Sequence, residues 1–369
     1  MAEQVLITGG AGFIGRHVAR NLHRRGHRVR ILDSLIEQVH GPKDPAPDAA
    51  REFELIVGDV RDEKALGEAL RGVDSVVHLA AEVGVGQSMY EIERYMSVND
   101  VGTAALLEKL TERPVRRVVV ASSMSIYGEG LYQDVDGTVV EDATRDNAVS
   151  LSWDPLGRTG QPLAPIATPE WKRPQLASIY ALTKYVQERA TLVVTAAYGM
   201  EGVALRLFNV YGPGQALSNP YTGVLAIFAA RLANGKPPLL YEDGRQRRDF
   251  VHVDDAAEAF ALALEAPKAA GQAYNIGSGE NRSVAEIATL LATAMDRPEI
   301  VPEIAGKARK GDIRHCFADI TKAAHELGFM ARQGFADGLS GLCGWVAGQK
   351  ADDRVPQARR ELETRGLVA

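Results

Sequence analysis

Short runs of apolar residues alternate, over the first 125 residues, with stretches whose apolar residues recur at helical spacing. The runs predict five strands: one that starts at Val5 and four that end at Asp33, Asp59, Ala81 and Ser123. The stretches between them predict helices near 13–25, 62–71 and 96–112. Nearly continuous apolar strands that alternate with helices predict an α/β fold with a parallel sheet covered on both faces.

A longer stretch without proline, from Leu176 to Met200, predicts a further helix. Its apolar stripe is interpreted as the buried face and consists of Ile179, Leu182, Val186 and Val193. Tyr180 and Lys184 lie one turn apart on a different side. By themselves they are either an ordinary solvated pair or a pair that does chemistry.

The pattern is less regular after one more predicted strand, "VALRLFNVYG". Residues 213–249 are rich in proline and glycine, whereas "RDFVHVDDAAEAFALALEAP" and "QAYNIGSG" return to a strand, a helix and a strand. Ser283 and Glu286 have the spacing of a capping box and predict the start of a helix over "VAEIATLLATAMD". Residues 130–175 are irregular, as is typical of functional loops, interface loops or disordered segments.

Composition narrows the class of protein. The chain has 369 residues, 46% of them hydrophobic, which is enough for one large domain or two smaller ones. Its net charge of −6 includes no basic run, which argues against nucleic-acid binding. No apolar run approaches the ~18 residues that span a membrane. Cys316 and Cys343 form neither a disulfide framework nor a metal-ligand cluster, so we expect a cytoplasmic protein without a metal site.

A glycine-rich segment, "TGGAGFIG", joins the first predicted strand to the first predicted helix. Gly9, Gly12 and Gly15 would permit a tight turn and close approach of a pyrophosphate, which the N-terminus of the helix favours. Asp33 ends the second strand 18 positions after Gly15, where a carboxylate accepts hydrogen bonds from ribose hydroxyls and repels a 2′-phosphate. These features predict an NAD site, with Asp59 on its adenine side.

Eight segments occur in the order typical of extended short-chain dehydrogenases/reductases: "TGGAGFIG", "GDV", "HLAA", "SVNDVGT", "SSMSIYG", "YALTK", "LRLFNVYGP" and "RRDFVHVDD". Over residues 4–330 the chain resembles the NAD-dependent nucleotide-sugar epimerase/dehydratase family within that group. The resemblance implies a Rossmann fold with a doubly wound parallel sheet. It also implies a smaller C-terminal α/β domain that binds a nucleoside-diphosphate sugar.

The same resemblance implies where the two domains lie. Residues 1–208 are expected to form the NAD-binding domain, with an inserted loop at about 130–175, and residues 250–276 are expected to return to it. Residues 209–249 and 277–369 are expected to form the nucleotide-sugar-binding domain. Many relatives are shorter between Tyr127 and Tyr180, and we predict that the extra residues, near 130–168, form a lid or a partner contact over the sugar site.

The family's catalytic Tyr-x-x-x-Lys pair corresponds to Tyr180 and Lys184. A free tyrosine has a pKa of about 10, so a tyrosine base near pH 7 needs a shift of about three units, or roughly 4 kcal/mol. A lysine cation one helical turn away, together with the positive nicotinamide of NAD⁺, favours the phenolate. Ser123, four residues before Tyr127, takes the place of the catalytic serine or threonine, with Ser125 as the alternative.

The resemblance also implies the binding residues. Those assigned to the cofactor are Gly9, Gly12, Phe13, Ile14, Gly15, Asp33, Asp59, Val60, Leu79, Ala80, Ala81, Asn99, Ser122, Tyr180 and Lys184. Those assigned to the substrate are Gln87, Ser88, Ser123, Ser125, Asn209, Arg248, Arg309 and Asp312. Two separate arginines among them suit a diphosphate, because guanidinium groups make planar, charge-assisted hydrogen bonds.

Met124 and Ser125 follow Ser123 where sugar 4,6-dehydratases of the family carry an acidic residue. Because neither side chain is a useful acid or base, dehydration is disfavoured and hydride chemistry at one carbon remains. The segments "SSMSIYGEG", "ALSNPYTGVLAIFAARL" and "KGDIRHCFADI" are most similar to those of dTDP-L-rhamnose 4-epimerases. The implied enzyme is a homodimer that inverts C4 through a transient 4-keto sugar and bound NADH.

Three other functions stay open at this point. Two are enzymes of the same family: a UDP-glucuronate 4-epimerase or decarboxylase, and a nucleotide-sugar 4-ketoreductase that consumes an external reductant. The third is a non-enzymatic regulator that binds a dinucleotide on the same scaffold. The presence of both Tyr180 and Lys184 argues against the regulator, because such proteins tend to lack the pair.

Overall fold

The five strands predicted over the first 125 residues are all present in the structure, a computed structural model that describes residues 2–41, 52–145, 153–221, 223–350 and 352–368. In chain order the strands are β1 (Gln4–Thr8), β2 (Arg28–Asp33), β3 (Glu54–Val57), β4 (Ser75–His78), β5 (Arg117–Ser123), β6 (Leu131–Gln133), β7 (Val139–Val140), β8 (Ala164–Ile166), β9 (Glu201–Leu207), β10 (Asn209–Tyr211), β11 (Leu239–Leu240), β12 (Arg247–Arg248), β13 (Phe250–His252), β14 (Gln272–Ile276), β15 (Arg282–Ser283), β16 (Glu303–Ile304) and β17 (His315–Cys316).

The helices are α1 (Phe13–Arg24), α2 (Glu37–His40), α3 (Glu63–Ala69), α4 (Val85–Ser88), α5 (Ile92–Tyr95), α6 (Gly102–Glu112), α7 (Ile179–Ala197), α8 (Val224–Ala233), α9 (Val253–Glu265), α10 (Val284–Ala294), α11 (Thr321–Leu327), α12 (Phe335–Ala347) and α13 (Val355–Thr364). Short 3₁₀ helices span Met124–Tyr127 and Pro267–Ala269. A π-helical turn, Met96–Val101, precedes α6, so the helix predicted near 96–112 changes its hydrogen-bonding pattern part-way. None of the helices in the described ranges is long and apolar enough to cross a membrane.

Seven strands form a parallel sheet in the order β14-β9-β5-β4-β1-β2-β3. The chain runs outward from β1 to β3 and then returns to β4 on the other side of β1. The loops that leave the carboxyl ends of β1 and β4 therefore diverge and open a crevice, which is where doubly wound sheets place their ligands. The predicted doubly wound α/β fold is confirmed.

Successive residues of the central strands bury their side chains on opposite faces of the sheet. On one face, Ile7 belongs to a cluster that also contains Phe260 of α9. On the other, Leu6 belongs to a cluster with Leu66 of α3 and Leu107 of α6. Burial on both faces explains why the sequences of these strands are nearly continuous runs of apolar residues.

A second, smaller core lies away from the sheet, where α8, α10 and α12 pack together through Phe228, Leu291 and Leu342. The capping box predicted for α10 is confirmed. The N–H of Ser283 donates to Glu286 Oε2 (2.6 Å), and the N–H of Glu286 donates to Ser283 Oγ (3.1 Å).

The segment "VALRLFNVYG" is not one strand, as the sequence predicted, but two. β9 ends at Leu207 in the central sheet, and β10 pairs with β13 in a separate two-stranded sheet, where Asn209 lies opposite Phe250. The N–H of Phe208 still donates to the carbonyl of Ile276 at the end of β14, and the N–H of Asn209 donates to the carbonyl of Asp249, so the chain changes sheets between these two residues.

The interpretation of the apolar stripe of α7 as its buried face is wrong. Val193 of that stripe is 58% exposed. The side chains that α7 buries are mostly polar and include Thr183, Lys184, Gln187 and Glu188. Polar groups can be buried here because they hydrogen-bond to one another and to neighbouring elements. This polar face of α7 packs on β5 and brings Lys184 to the end of the sheet.

Candidate active site

A cavity of about 1030 Å³ opens at the carboxyl ends of β1, β2, β4 and β5. One half is lined by the turns that leave these strands, and the other half reaches the second core, where Ile227, Leu240 and Val284 line it. The cavity thus joins the sheet to the smaller core. Its size and its position at the strand ends are typical of a site for a small organic ligand.

The glycine-rich turn between β1 and α1 lines the sheet half of this cavity. Gly9 has a φ of +69°, and a Cβ there would lie 2.8 Å from the backbone nitrogen of Ala80. A Cβ on Gly15 would lie 2.6 Å from the Cα of Gly10. Gly12 caps α1 without a side-chain hydrogen bond, so the first N–H groups of the helix are available to an anion. The turn therefore has the shape and the dipole that a pyrophosphate needs.

Asp33 lies at the end of β2, at the rim of the same half. Its carboxylate accepts the N–H of Ala11 (3.0 Å) and the N–H of Leu35 (2.9 Å), and this fixes the orientation of the carboxylate. Asp59 also lines the cavity and accepts two hydrogen bonds from the guanidinium of Arg61 (2.8 and 2.6 Å). The Arg61 guanidinium lowers the pKa of Asp59, so its carboxylate stays charged.

All but one of the residues predicted to bind the cofactor line the cavity: Gly9, Gly12, Phe13, Ile14, Gly15, Asp33, Asp59, Val60, Leu79, Ala80, Ala81, Ser122, Tyr180 and Lys184. The exception is Asn99, which is fully buried in the π-helical turn. Its side chain accepts the N–H of Glu82 (2.7 Å) and donates to the Glu82 carbonyl (3.1 Å). Asn99 thereby fixes the loop that follows Ala81, and its predicted contact with the cofactor stays a prediction.

Ser123, Tyr180 and Lys184 line the cavity together, although they come from a strand and a distant helix. Ser123 ends β5 and donates to the hydroxyl of Ser125 (3.1 Å). Ser178 begins α7 by accepting the N–H of Ala181 (3.1 Å), which places Tyr180 in the first turn. Lys184 is only 3% exposed, so the pair is not the ordinary solvated pair that helix geometry alone allows.

Burial acts on both members of this pair. It raises the pKa of the Tyr180 phenol, and the hydrogen bond with Ser123 opposes that rise. It lowers the pKa of Lys184 to about 7, while the negative charge of Glu188 favours the protonated form. Burial thus disfavours both the phenolate and the ammonium, and a phenolate at Tyr180 needs a positive charge beside it, which a protonated Lys184 one turn away would supply.

The motifs of the sequence did not indicate Gln187, which holds the Lys184 ammonium. Lys184 Nζ donates to Gln187 Oε1 (2.7 Å). The amide of Gln187 is oriented by its other end, which donates to Thr103 Oγ1 (2.8 Å) and to the carbonyl of Ala80 (3.3 Å). Its position three residues after Lys184, on the same side of a helix, is the signal that could have indicated it.

The substrate residues predicted from the sequence divide into two groups. Those that line the cavity are Ser123, Ser125, Asn209, Arg248, Arg309 and Asp312. Gln87 and Ser88 do not line it. Gln87 Oε1 accepts from Gln38 Nε2 (3.0 Å), and Ser88 Oγ accepts the N–H of Tyr180 (3.1 Å). The contact of Ser88 positions the start of α7.

Two guanidinium groups, those of Arg248 and Arg309, line the cavity, and the part around them is called the guanidinium half here. Arg248 donates to the carbonyls of Ile313 (2.5 Å) and Arg314 (2.8 Å). Arg309 donates to Asp312 Oδ2 (2.8 Å) and lies over the ring of Tyr241, 4.4 Å from its centre. Tyr241 is a further lining residue that the sequence did not indicate. Guanidinium groups and an aromatic ring suit a ligand that carries phosphates and a planar base.

The described residues of the inserted stretch 130–175 do not line the cavity, and the predicted lid stays a prediction. Residues 146–152 of this prediction lie outside the described residues. Instead β6, β7 and β8 form a small antiparallel sheet, and the N–H of Gly130 donates to the carbonyl of His315 (2.7 Å). The alternative, a partner contact, stays a prediction.

Arg145 connects this insertion to the guanidinium half of the cavity. It donates to the backbone carbonyl of Asp312 (2.6 Å). It also forms ion pairs with Glu129 (2.8 Å) and with Glu242 (2.5 Å), both of which are nearly buried. The insertion thus supports the segment that carries Arg309 and Asp312 from outside the cavity.

The described residues hold no group of three or more His, Cys, Asp or Glu that could bind a metal ion. The model of the NAD dependent epimerase/dehydratase family matches residues 5–148 and 160–277. The chain belongs to this family. Among its relatives, a dTDP-L-rhamnose 4-epimerase from Burkholderia thailandensis is 36% identical over 352 residues, which cover 94% of this chain and 95% of that protein.

Solved structures of other epimerases have the same fold. The UDP-glucose 4-epimerase of Thermus thermophilus, in complex with NAD, is 31% identical, with a TM-score of 0.74 over 94% of this chain and 100% of that one. The UDP-glucose 4-epimerase of Thermotoga maritima, with UDP-glucose, is 28% identical, with a TM-score of 0.75 over 93% and 98%. The chain is therefore an NAD-dependent enzyme, and the crowded turn at Gly9 and Gly15 with Asp33 beside it fits that cofactor.

Proposed function

We propose that this enzyme inverts the configuration at C4 of dTDP-L-rhamnose. One observation carries the choice of reaction: Ser123, Tyr180 and Lys184 line the cavity, and neither Met124 nor Ser125 supplies an acid for dehydration. Inversion at a carbinol carbon requires that the hydroxyl proton and the hydride of that carbon both leave and return. A single tyrosine–lysine pair can remove and return the proton, and bound NAD would accept the hydride and return it to the opposite face. The 36% identity to a dTDP-L-rhamnose 4-epimerase supports the choice of sugar.

Bound NAD would supply the reversible hydride acceptor and a positive charge that favours the phenolate. Tyr180, as a phenolate favoured by Lys184, removes the proton of the 4-hydroxyl, and Ser123 orients that oxygen by a hydrogen bond. After the 4-keto sugar has turned in the cavity, Tyr180 returns the proton. Arg248 and Arg309 hold the diphosphate throughout, so that only the sugar turns.

The remaining residues have binding or supporting roles in this proposal. The turns from Gly9 to Gly15 and from Leu79 to Ala81 hold NAD, with Asp33 at the adenosine ribose. Asn209, Ser125 and Asp312 contact the nucleotide sugar. Gln87, Ser88 and Asn99 position the loops around the site, because their side chains hydrogen-bond to other residues of the protein. The second core around Leu291 serves as the substrate domain.

Proton NMR of the purified protein with dTDP-L-rhamnose, without added cofactor, tests the proposal. We expect the signals of a C4 epimer to grow until they reach a constant mixture, since the resident NAD is regenerated in each turnover. An unchanged spectrum would contradict the proposed substrate. Omission of enzyme and a heat-inactivated sample serve as controls.

A second candidate is epimerisation of a UDP-sugar, because the two solved neighbours described above are UDP-glucose 4-epimerases. The same NMR sample with UDP-glucose or UDP-glucuronate distinguishes the two. Conversion of a UDP-sugar but not of dTDP-L-rhamnose would mean that the substrate is that UDP-sugar. If every sugar is inert until NADH and a 4-keto sugar are added, the enzyme is a reductase.

We also propose that the enzyme is a homodimer that uses the exposed side of α7. This helix packs beside the π-helical turn and α6. Val193 of α7 and Val101 of the turn are 58% and 56% exposed, although both are apolar. Apolar side chains on neighbouring helices favour burial against a second copy of the same surface.

Analytical ultracentrifugation measures the oligomeric state directly. The wild type should have the mass of two chains, and the double change Val101→Glu with Val193→Glu should produce monomers because it would bury charges in the interface. Val301→Glu, at another exposed valine, is the matched control and should stay dimeric. A monomeric wild type would refute the proposal.

We place the enzyme in the cytoplasm. Cys316 is buried and Cys343 is half-buried, and both are free, as is usual in reducing compartments. Recovery of activity in the cytosolic fraction of the cells that make it would agree with this location, and recovery outside the cytosol would contradict it.

A further inference from the structure

The last described residues, 352–368, run along the guanidinium half of the cavity and are called the strap here. The strap contains α13 and is tied at both ends to the substrate side. Near its start, the N–H of Asp352 donates to Ser218 Oγ (3.0 Å). Near its end, the carbonyl of Leu367 accepts the N–H of Lys310 (2.9 Å). The strap therefore contacts the same segment that carries Arg309.

One face of α13 forms part of the cavity wall. The residues that line the cavity are Val355, Ala358, Arg359 and Leu362, whose spacing places them on a single side of the helix. The neighbouring Arg360 is exposed and does not line the cavity. The strap thus presents aliphatic side chains and one guanidinium to whatever occupies this half.

The strap also joins the two sides of the cavity. Arg365 lies over the ring of Tyr90, 4.4 Å from its centre, on the side of the central sheet. On the other side, Glu363 lies 3.6 Å from Lys307. No residue of the strap belongs to one of the apolar core clusters, all of which end at or before Val346 among the described residues. Its contacts therefore serve the cavity rather than the core.

Arg359 can turn toward a ligand. Its Nε donates to Glu363 Oε1 (2.9 Å), and a half-exposed pair of this kind is weak. Both Arg359 and Arg309 act electrostatically on the phenol of Tyr241, so the two guanidinium groups lie near one aromatic residue. Cations beside an aromatic ring are the groups that bind the phosphates and the base of a nucleotide.

We propose that the strap completes the nucleotide end of the site and that Arg359 is a third guanidinium, beside Arg248 and Arg309, that binds the nucleoside diphosphate of the substrate. The inference rests on the proposed nucleotide-sugar function. The aliphatic residues of α13 cover the nucleotide, and Arg359 exchanges Glu363 for a phosphate oxygen.

Calorimetric titration of the NAD-bound protein with dTDP, and separately with UDP, tests this assignment. Arg359→Gln should weaken binding of the better nucleotide about tenfold, because a charge-assisted hydrogen bond is lost. Bound NAD and kcat should not change, while KM should rise by the same factor. Arg360→Gln is the matched control and should bind like the wild type. A chain that ends at Lys350 should bind more weakly still, and its thermal unfolding shows whether it folds.

The outcomes separate the two proposals. If the wild type binds a nucleotide and Arg359→Gln binds it equally well, the role of the strap is refuted while the proposed function stands. If the wild type binds neither dTDP nor UDP, the nucleotide-sugar function and the strap inference both fail. A weaker salt dependence of binding in Arg359→Gln than in Arg360→Gln would identify the lost contact as one with a phosphate.

Discussion

The two ends of the cavity are built in different ways. At the end where we propose the chemistry, Ser123 ends a strand of the central sheet, and Tyr180 and Lys184 lie on α7, which packs on that strand. Two regular elements therefore fix all three side chains. At the nucleotide end, Arg309 and Asp312 lie on a segment without regular structure, between β16 and β17.

The nucleotide end is held by contacts from distant parts of the chain. Arg145 of the insertion donates to the carbonyl of Asp312, 167 positions away. Lys310 donates to the carbonyl of Leu367 in the strap. Because these supports are separate from the sheet, we expect changes in them to alter the proposed nucleotide binding without disturbing the proposed chemistry. Changes at the first end should alter kcat, and changes at the second should alter KM.

The largest expected effect is at the catalytic end. Tyr180→Phe removes the proton acceptor, and we expect kcat to fall about a thousandfold, with KM, bound NAD and the unfolding transition unchanged. Tyr198→Phe, at an exposed tyrosine after the end of the same helix, is the control and should keep full activity. Turnover near the wild-type rate in Tyr180→Phe would refute the catalytic role of Tyr180. The two ends of the cavity could then no longer be assigned to chemistry and to nucleotide binding.

At the nucleotide end, Arg145→Met should lower the free energy of unfolding by about 3 kcal/mol, because two nearly buried carboxylates lose a partner. KM for the nucleotide sugar should rise about fivefold, since the Asp312 carbonyl loses a hydrogen bond, and kcat should be unchanged. Urea unfolding and initial rates measure both. Arg158→Met, at an exposed arginine of the same insertion, is the control and should change neither the free energy of unfolding nor KM. A fall in kcat with constant KM would contradict the separation.

A smaller effect is expected from Gln187→Leu, which removes the acceptor of the Lys184 ammonium. Lys184 must keep its proton, so activity is lost as the pH rises through its pKa, which burial already lowers to about 7. Without the acceptor the pKa falls further, and the alkaline limb of the kcat profile should move to lower pH by about one unit.

Gln187→Glu is the matched variant for this test. Its carboxylate favours the charged lysine, and the limb should move to higher pH. A purely structural role of Gln187 would lower kcat in both variants without moving the limb, and that result would overturn the assignment.

The smallest effect is expected at the start of α10, where Val284 lines the cavity but Ser283 does not. Ser283→Ala removes the capping box of α10 and should lower the free energy of unfolding by about 1 kcal/mol. Neither kcat nor KM should change, because the side chain of Ser283 caps α10 and does not itself line the cavity. Thr293→Ala on the same helix should change stability by less than about 0.5 kcal/mol. If Ser283→Ala raises KM, the nucleotide end depends on the whole core and not only on the insertion and the strap.

Interactions between residues that are close in the chain allowed several elements of the fold to be predicted from the sequence. Apolar runs predicted the first five strands, a Ser–Glu spacing predicted the cap of α10, and the glycines between β1 and α1 predicted the dinucleotide turn. These features depend on residues that are close to each other in the chain, so they can be predicted from the sequence alone. The family resemblance added Ser123, Tyr180 and Lys184, which the structure brings to one cavity.

Only the tertiary structure decided the rest. The spacing of apolar residues shows that α7 has an apolar side. The elements around the helix decide which side is buried, and in the structure the polar side packs on β5. The insertion supports the cavity from outside because Arg145 finds carboxylates and a carbonyl that lie far away in sequence. The same holds for the strap, whose helix has no motif and whose proposed role depends on the fold, which brings it beside Arg309. Contacts between distant segments leave no local pattern, because each partner alone is an ordinary charged or apolar residue.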